Sequence, residues 1–399
     1  MKRYFFAFCC FITALCARAE EAYTSSDKTH QLEFSARGAY VLPSNIIVRG
    51  FNRYDARTSS AFAANAEYSF RYAPSSLYGK YYPHAYQGIG IGYTGFHSDK
   101  ITGNPVNIYV LQGSRIASLS PRLSLDYEWN FGISAGWKKI TSDTPTDSYD
   151  IDGLGSHVNA YIDLGFKLNY ALTDRLSLTA GVNFSHFSNG NTGYPNPGVN
   201  VLWARLGLLW KLGKQPPAAH ADWQDYRPHF SLDFTGYGAW RKHTFDYPLS
   251  SDGDESEERI IPGHFGVWGI NVNPLWHFNP VIAVGPALDF QYDQGSNLNG
   301  NYAIESSPED PKFYSMPVSD RMMAGLSARV ELQMPIFSVN IGLGHSLFAA
   351  RGNTMRGWYQ TFTLKTAVTR NLYVSTGYRL ERFSHPGNLM LGLGWRFDL

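Results

Sequence analysis

Residues 176–185 of this chain alternate strictly between apolar side chains and small or polar ones. The apolar positions are Leu176, Leu178, Ala180, Val182 and Phe184, and the others are Ser177, Thr179, Gly181, Asn183 and Ser185. Because successive side chains of a β-strand point to opposite faces, this segment predicts a strand with one apolar and one polar face. Such a strand fits a transmembrane β-barrel, which has lipid outside and polar groups inside.

Similar segments, each bounded by turn residues, recur along the whole chain. In the first half we expect strands at 31–42, 61–73, 86–98, 107–118, 123–140, 157–172, 176–189 and 199–212. In the second half we expect them at 230–245, 265–278, 281–295, 320–334, 337–350, 356–369, 372–384 and 388–399. Short connections alternate with long polar ones such as 141–156 and 246–263, which is typical of outer-membrane barrels with short periplasmic turns and long external loops.

The first residues predict a secretory signal peptide over residues 1–19. Lys2 and Arg3 precede an apolar stretch, and a small-x-small cleavage pattern ends at Ala19. All three cysteines fall inside this segment, which excludes disulfides, cysteine catalysis and cysteine-based metal sites from the mature chain. Removing Lys2, Arg3 and Arg18 leaves 31 basic residues against 33 acidic ones, a net charge of −2 that argues against a nucleic-acid partner.

The second half of the chain repeats the first. Residues 171–188 align with 367–384, and the segment 213–229, which contains Pro-Pro, reads as a linker. The sequence therefore divides into a first barrel over 20–212 and a barrel-like repeat over 230–399.

Two barrel arrangements are compatible with this repeat. One is a tandem of eight-stranded barrels filled by side chains, and the other is a single sixteen-stranded barrel with one long periplasmic turn. We favour the tandem, because the linker is longer than a turn needs. The inward positions of Arg37, Trp203 and Arg205 also suit a filled interior.

Three polar residues stand where the lipid-facing stripes reach the external end. His186 and Ser188 share one face of a strand with Cα atoms about 6.5 Å apart, and Asn200 begins the returning strand beside them. The imidazole can take the hydroxyl proton, and the alkoxide can then attack an ester carbonyl. Polar residues on a lipid face suggest function. The alternative is that all three lie among the headgroups, where they cost little.

The motif His186-Phe-Ser188-Asn189, followed by Asn196-Pro-Gly, resembles the signature of the outer-membrane lipid A 3-O-deacylase (PagL) or acyloxyacyl hydrolase-like family over about residues 31–212. The resemblance implies an eight-stranded barrel that removes the ester-linked acyl chain at position 3 of lipid A. It assigns Ser188 as the nucleophile and His186 as the general base. Asn189 and Asn196 match polar positions that support the oxyanion or shape the loop.

The family carries a glutamate fourteen residues after the histidine, and this chain has Asn200 there. An asparagine can accept a hydrogen bond from the imidazole and hold its tautomer, but it cannot stabilise the imidazolium by charge. We therefore expect Asn200 to orient His186. An acid from another loop, Asp147 or Asp150, is the alternative.

The positions aligned with the site in the second half are Arg382, Ser384 and His385. The base is missing there, so this half is expected to be non-catalytic. Arg382 either binds a lipid A phosphate or snorkels to the interface.

The letters G-x-G-x-x-G at 90–95 match a dinucleotide fingerprint, but no helix follows them, and close packing in a barrel explains them better. Together the patterns predict an all-β, antiparallel transmembrane barrel protein in the outer membrane of a Gram-negative bacterium. The resemblance implies a serine esterase that acts on the lipid A of lipopolysaccharide, and we expect it to need no metal or cofactor. The alternatives are a non-catalytic barrel that binds lipopolysaccharide and a porin-like channel, which needs the sixteen-stranded form.

Overall fold

The computed structural model describes residues 28–141, 151–196, 198–213, 220–248, 256–261, 263–296, 316–383 and 385–399. These residues form two closed antiparallel barrels of eight strands each. The expected signal peptide over 1–19 and the alternative acids Asp147 and Asp150 lie outside the described residues. None of the helices in the described ranges is long and apolar enough to cross a membrane.

The first barrel closes where its last strand pairs with its first. Its strands are β1 (Lys28–Val41), β2 (Ser60–Tyr72), β3 (Tyr86–Phe96), β4 (Gly103–Ser120), β5 (Leu123–Trp137), β6 (Val158–Ala171), β7 (Leu176–Ser188) and β8 (Val199–Leu212). β8 runs antiparallel to β1, with His30 opposite Leu212 and Val41 opposite Val201.

The second barrel is built in the same way. Its strands are β9 (His229–Arg241), β12 (Phe265–His277), β13 (Ile282–Asp293), β14 (Met322–Gln333), β15 (Phe337–Ala349), β16 (Trp358–Ala367), β17 (Leu372–Glu381) and β18 (His385–Asp398). β18 pairs with β9 and closes it. The tandem of eight-stranded barrels is thus confirmed, and the single sixteen-stranded barrel is wrong.

The two faces of the strands divide as the alternation predicts. On β7 and β8 the outward positions are exposed or half-buried, and the inward ones are mostly buried. Phe184 and Leu202, neighbours across the β7–β8 pair, are 42% and 48% exposed. An outward apolar stripe and a polar interior are what a barrel in a bilayer requires.

Buried ion pairs fill both interiors. In the first barrel the Arg205 guanidinium lies 2.8 Å from Glu33, 2.9 Å from Glu67 and 2.5 Å from Glu128. Lys167 bridges Glu33 and Glu128 at 2.8 and 2.7 Å. These carboxylates are close enough together to hold a metal ion, but Arg205 and Lys167 already pair with them, and Arg37 lies 3.6 Å from Glu67. Pairing makes such charges tolerable in a low-dielectric interior, so the predicted filled interior is confirmed.

The second barrel is filled by a different set of charges. Lys365 and Arg396 each contact Asp233 and Glu331, at 2.5 to 2.7 Å. Arg396 follows Trp395 as Lys211 follows Trp210, so it corresponds to Lys211 and not to Arg205. The two halves therefore share the eight-stranded fold, but the charged residues that fill their interiors occupy different positions.

The repeat in the sequence has a counterpart in the turns. In the β6–β7 turn the Thr173 hydroxyl accepts hydrogen bonds from the backbone N–H groups of Arg175 and Leu176. In the β16–β17 turn Thr369 accepts the corresponding bonds from Asn371 and Leu372. A threonine two residues before the turn ends thus shapes both connections.

The longer connections contain short elements of their own. Helix α1 (Ile46–Arg49) lies in the β1–β2 loop, and helix α2 (Leu77–Tyr81) occupies the β2–β3 turn, which is long for the periplasmic side. A 3₁₀ turn, Val318–Arg321, precedes β14. The β9–β12 connection, expected to be a loop, instead forms the hairpin β10 (Thr244–Pro248) and β11 (Ser256–Ile260).

Candidate active site

The structure brings His186 and Asn200 into contact at the end of the first barrel where the β7–β8 loop lies. β7 and β8 pair so that these two residues lie opposite one another. His186 Nδ1 is 2.7 Å from Asn200 Oδ1, and both side chains are half-buried. An amide oxygen can only accept, so this bond requires the imidazole proton on Nδ1 and leaves Nε2 with its lone pair.

Closure of the barrel adds Ser44 to this pair, which the sequence did not predict. β1 pairs with β8 up to Val41 and Val201, and Leu42 N–H then donates to the Asn200 carbonyl at 2.9 Å. This bond carries the following residues past the Asn200 side chain. Asn200 Nδ2 donates to Ser44 Oγ at 3.0 Å.

The direction of the Asn200 amide is set from both sides. Ser44 Oγ lies 3.5 Å from the Leu42 carbonyl, to which it donates, so its lone pairs face Asn200. Nδ2 therefore belongs on the Ser44 side, and Oδ1 on the His186 side. Ser44 thereby helps to hold the tautomer that leaves His186 Nε2 free to act as a base.

Ser188 lies on the same outward face as His186, two residues further along β7. It is half-buried and stands opposite Ala160 of β6, while His186 stands opposite Ile162. Within the described residues no hydrogen bond joins Ser188 to His186. Catalytic hydrogen bonds often tighten only when substrate binds, so this spacing remains compatible with a nucleophile and its base.

A small cavity lies beside Ser188 and under the β7–β8 loop. Asn159, Phe187, Asn196 and Val199 contribute to its walls. The side chain of Asn159 is buried, and its Nδ2 has no hydrogen-bond partner among the described residues. Because Ala160 stands opposite Ser188, the neighbouring Asn159 side chain lies on the inward face of β6, whereas Ser188 lies on the outward face.

Asn189 and Asn196 fold the loop that follows Ser188. Asn189 N–H donates to Asn196 Oδ1 at 2.9 Å, and the Asn189 carbonyl accepts from the Thr192 hydroxyl at 2.7 Å. Asn189 Oδ1 accepts from Gly193 N–H at 3.3 Å. Of the two roles that the resemblance implies for these asparagines, the bonds correspond to shaping of the loop.

Glycine is required where the loop passes the imidazole. A Cβ on Gly198 would lie 2.8 Å from His186 Cε1, and its φ of +64° is left-handed. The Gly198 carbonyl accepts from Asn45 Nδ2 at 2.6 Å, and Asn45 Oδ1 also caps helix α1 at Val48 N–H. The β1–β2 loop therefore supports the site from a second side.

The position aligned with the base in the second half is arranged differently. Arg382 follows β17 in a left-handed conformation with a φ of 50°, and it is exposed. Its guanidinium donates to the Arg356 carbonyl at 3.3 Å. Ser384 lies outside the described residues.

The chain matches two related protein families. Residues 44–208 match the family Lipid A 3-O-deacylase (PagL), and residues 230–399 match the family Acyloxyacyl hydrolase, C-terminal domain. Together these ranges span most of the chain. No curated protein matches it.

Solved outer-membrane structures resemble the chain only distantly. Neisserial surface protein A (NspA) is 13% identical, with a TM-score of 0.29, and the match covers 46% of this chain and 97% of that one. The siderophore receptor PirA from Acinetobacter baumannii is 10% identical, with a TM-score of 0.25, over 90% of this chain and 56% of the receptor. The Pseudomonas putida toluene transporter TodX is 9% identical, with a TM-score of 0.19, over 95% and 91%. Likenesses of this size carry no information about activity.

Proposed function

Because the chain belongs to the PagL family of lipid A 3-O-deacylases, we propose that it is an outer-membrane serine esterase that removes the 3-O-linked acyl chain of lipid A. The observation that carries the proposal is the 2.7 Å bond between His186 Nδ1 and Asn200 Oδ1, on the same lipid-facing side as Ser188. The substrate is itself a lipid of that membrane, so it reaches Ser188 by lateral diffusion.

The proposed reaction has two steps. His186 Nε2 takes the proton from Ser188 Oγ, and the oxygen attacks the ester carbonyl to give a tetrahedral oxyanion. The C–O bond to the sugar then breaks, and the sugar oxygen takes the proton from His186. Water, activated by the same nitrogen, releases the fatty acid from Ser188 and restores the hydroxyl.

Asn200 supplies orientation to this reaction but no charge. Its oxygen keeps the Nδ1 proton in place, so Nε2 remains the base throughout. The imidazolium formed in the transition state has no carboxylate beside it. We expect the enzyme to be slower than one that has an acid at this position.

The oxyanion needs donors near Ser188. The backbone N–H groups of Gly190 and Asn191 follow the nucleophile closely in the chain and are the candidate donors. Oxyanion donors are worth about 10²–10³ in rate, so these groups compensate for part of the missing charge.

The second barrel is proposed to be non-catalytic, since Arg382 stands at the position of the base. The alternatives are a barrel that only binds lipopolysaccharide and a channel. A channel suits the protein poorly, because ion pairs and large side chains fill both eight-stranded interiors.

The test is mass spectrometry of lipid A from cells that express the protein or its Ser188→Ala variant. Loss of one ester-linked hydroxyacyl mass with the wild type, and not with the variant, is the expected result. An unchanged lipid A profile, with the barrel folded in the outer membrane, would refute the deacylase and favour the lipopolysaccharide-binding barrel.

A further inference from the structure

We propose that the second barrel supports the catalytic loop of the first, and that Asn191 is the positioning residue through which it does so. The inference rests on the proposed function, and it assigns a role to the half of the chain that lacks the base. The supported segment is the first part of the β7–β8 connection, residues 189–196.

The second barrel touches this loop at three points. The backbone N–H of Lys242, just after β9, donates to the Asn191 carbonyl at 2.7 Å. Asn191 Nδ2 donates to the Gly387 carbonyl on β18 at 3.2 Å. Gly190 packs so closely on Leu389 that a Cβ would lie 2.5 Å from its Cγ. All three contacts join the external ends of the two barrels.

The same asparagine continues the contact to the nucleophile. Asn191 Oδ1 accepts from Asn196 Nδ2 at 3.0 Å, and Asn196 Oδ1 accepts from Asn189 N–H at 2.9 Å. Asn189 is the residue directly after Ser188. An unbroken series of hydrogen bonds therefore runs from β18 of the second barrel to the backbone beside the catalytic hydroxyl.

Asparagine suits position 191 both by its backbone conformation and by its side-chain amide. Its φ of 67° is left-handed, a conformation that asparagine and glycine adopt more readily than other residues. Its amide donates on one side and accepts on the other, as the contacts to Gly387 and Asn196 require. Aspartate would keep the acceptor and lose the donor, and glycine would keep only the backbone conformation.

Support from a rigid neighbour matters because the loop carries the proposed oxyanion donors. A displacement of about 1 Å at such a site can cost on the order of 10²-fold in rate. A barrel held beside the loop restricts this movement before substrate arrives. The effect falls on kcat, since lipid A binding uses the outer surface rather than Asn191.

The experiment compares Asn191→Asp and Asn191→Gly in the full-length protein with Asn371→Asp as the matched control. Asn371 Nδ2 also donates to a backbone carbonyl, that of Arg396 at 2.8 Å, but at the opposite end of the second barrel. Amide hydrogen exchange of peptides spanning 189–196 measures how firmly the loop is held. Steady-state deacylation of purified lipid A in detergent micelles measures kcat and KM. Heat-modifiable gel migration checks that each variant is folded.

We expect Asn191→Asp to raise exchange in 189–196 and to lower kcat by about 10- to 100-fold with KM unchanged. Asn191→Gly should lower kcat further, and Asn371→Asp should match the wild type in both exchange and kcat. Wild-type exchange and wild-type kcat in Asn191→Asp would overturn the proposal. If the wild type is no more active than Ser188→Ala, the proposed esterase fails, and the exchange measurement still decides whether the second barrel supports the loop.

Discussion

Asn200→Asp is the substitution that tests the catalytic site most directly. Aspartate has the size and shape of asparagine, so it keeps an oxygen at 2.7 Å from His186 Nδ1. It adds only a negative charge beside the imidazolium that forms in the transition state. The Ser44 hydroxyl can rotate and donate to the second carboxylate oxygen, so the local geometry is preserved. We expect the variant to deacylate lipid A faster than the wild type.

The magnitude follows from the distance between the two charges. With Nδ1 and Oδ1 in contact, the centres of the imidazolium and the carboxylate are about 4 Å apart, and their attraction is about 1 kcal/mol in bulk water and about 4 kcal/mol at an effective dielectric constant of 20. Both side chains are half-buried, so the site lies between these limits. A gain of roughly 1 to 3 kcal/mol corresponds to a rise in kcat of about 5- to 150-fold.

The assay is release of hydroxyacyl chains from purified lipid A in micelles, with kcat compared among the wild type, Asn200→Asp and Asn200→Ala. The alanine variant loses the orienting oxygen and should be slower than the wild type. A folded Asn200→Asp protein that is no faster than the wild type would refute the reasoning, because Asn200 would then not stand beside the base when the ester is cleaved.

Two further substitutions test neighbouring parts of the structure. Ser44→Ala removes the acceptor that fixes the Asn200 amide, worth about 1 kcal/mol, so kcat should fall about two- to fivefold. In the Asn200→Asp background the loss should be smaller, since either carboxylate oxygen can accept from His186 and no amide orientation has to be fixed. An equal loss in both backgrounds would contradict the orienting role. Arg205→Met leaves Glu33 and Glu128 to share Lys167, and Glu67 with only Arg37 at 3.6 Å. We therefore expect it to destabilise the first barrel by about 3–5 kcal/mol, measured as a lower urea midpoint. An unchanged midpoint would mean that these ion pairs contribute nothing.

The strands and their faces could be predicted from the sequence because a bilayer imposes a strict rule. Lipid on one side and a polar interior on the other require apolar and polar side chains to alternate along each strand. This alternation can be seen in the sequence at 176–185. The number of barrels followed from the internal repeat and from inward charges such as Arg205. The alternation lies within single strands, and the repeat is a similarity between two halves of the sequence. Neither signal depends on contacts that form only in the closed fold.

The environment of the site depends on such contacts. Ser44 and Asn200 are separated by 156 positions and meet only because β1 and β8 close the barrel in one register. Asn191 meets Gly387 across two barrels, 196 positions away. The sequence presents Ser44 and Asn191 as ordinary loop residues. The β10–β11 hairpin was missed because its acidic stretch reads as a solvated loop.

The position of Asn200 in the barrel explains why a neutral amide can be favoured there over an acid, and this explanation leads to a prediction. Asn200 stands at the rim of an outward stripe, directly beyond Leu202, which is 48% exposed. A charge on the lipid-facing side of a barrel costs free energy that grows with depth, by up to about 2–4 kcal/mol at the midplane for a basic residue and less for an acid or near the interface. An amide avoids this cost and orients the imidazole with help from Ser44. Asn200→Asp should therefore be faster and yet less stable, with a lower urea midpoint than the wild type. A variant that is both faster and equally stable would show that the rim is already hydrated, and would leave the amide without a structural advantage over an acid.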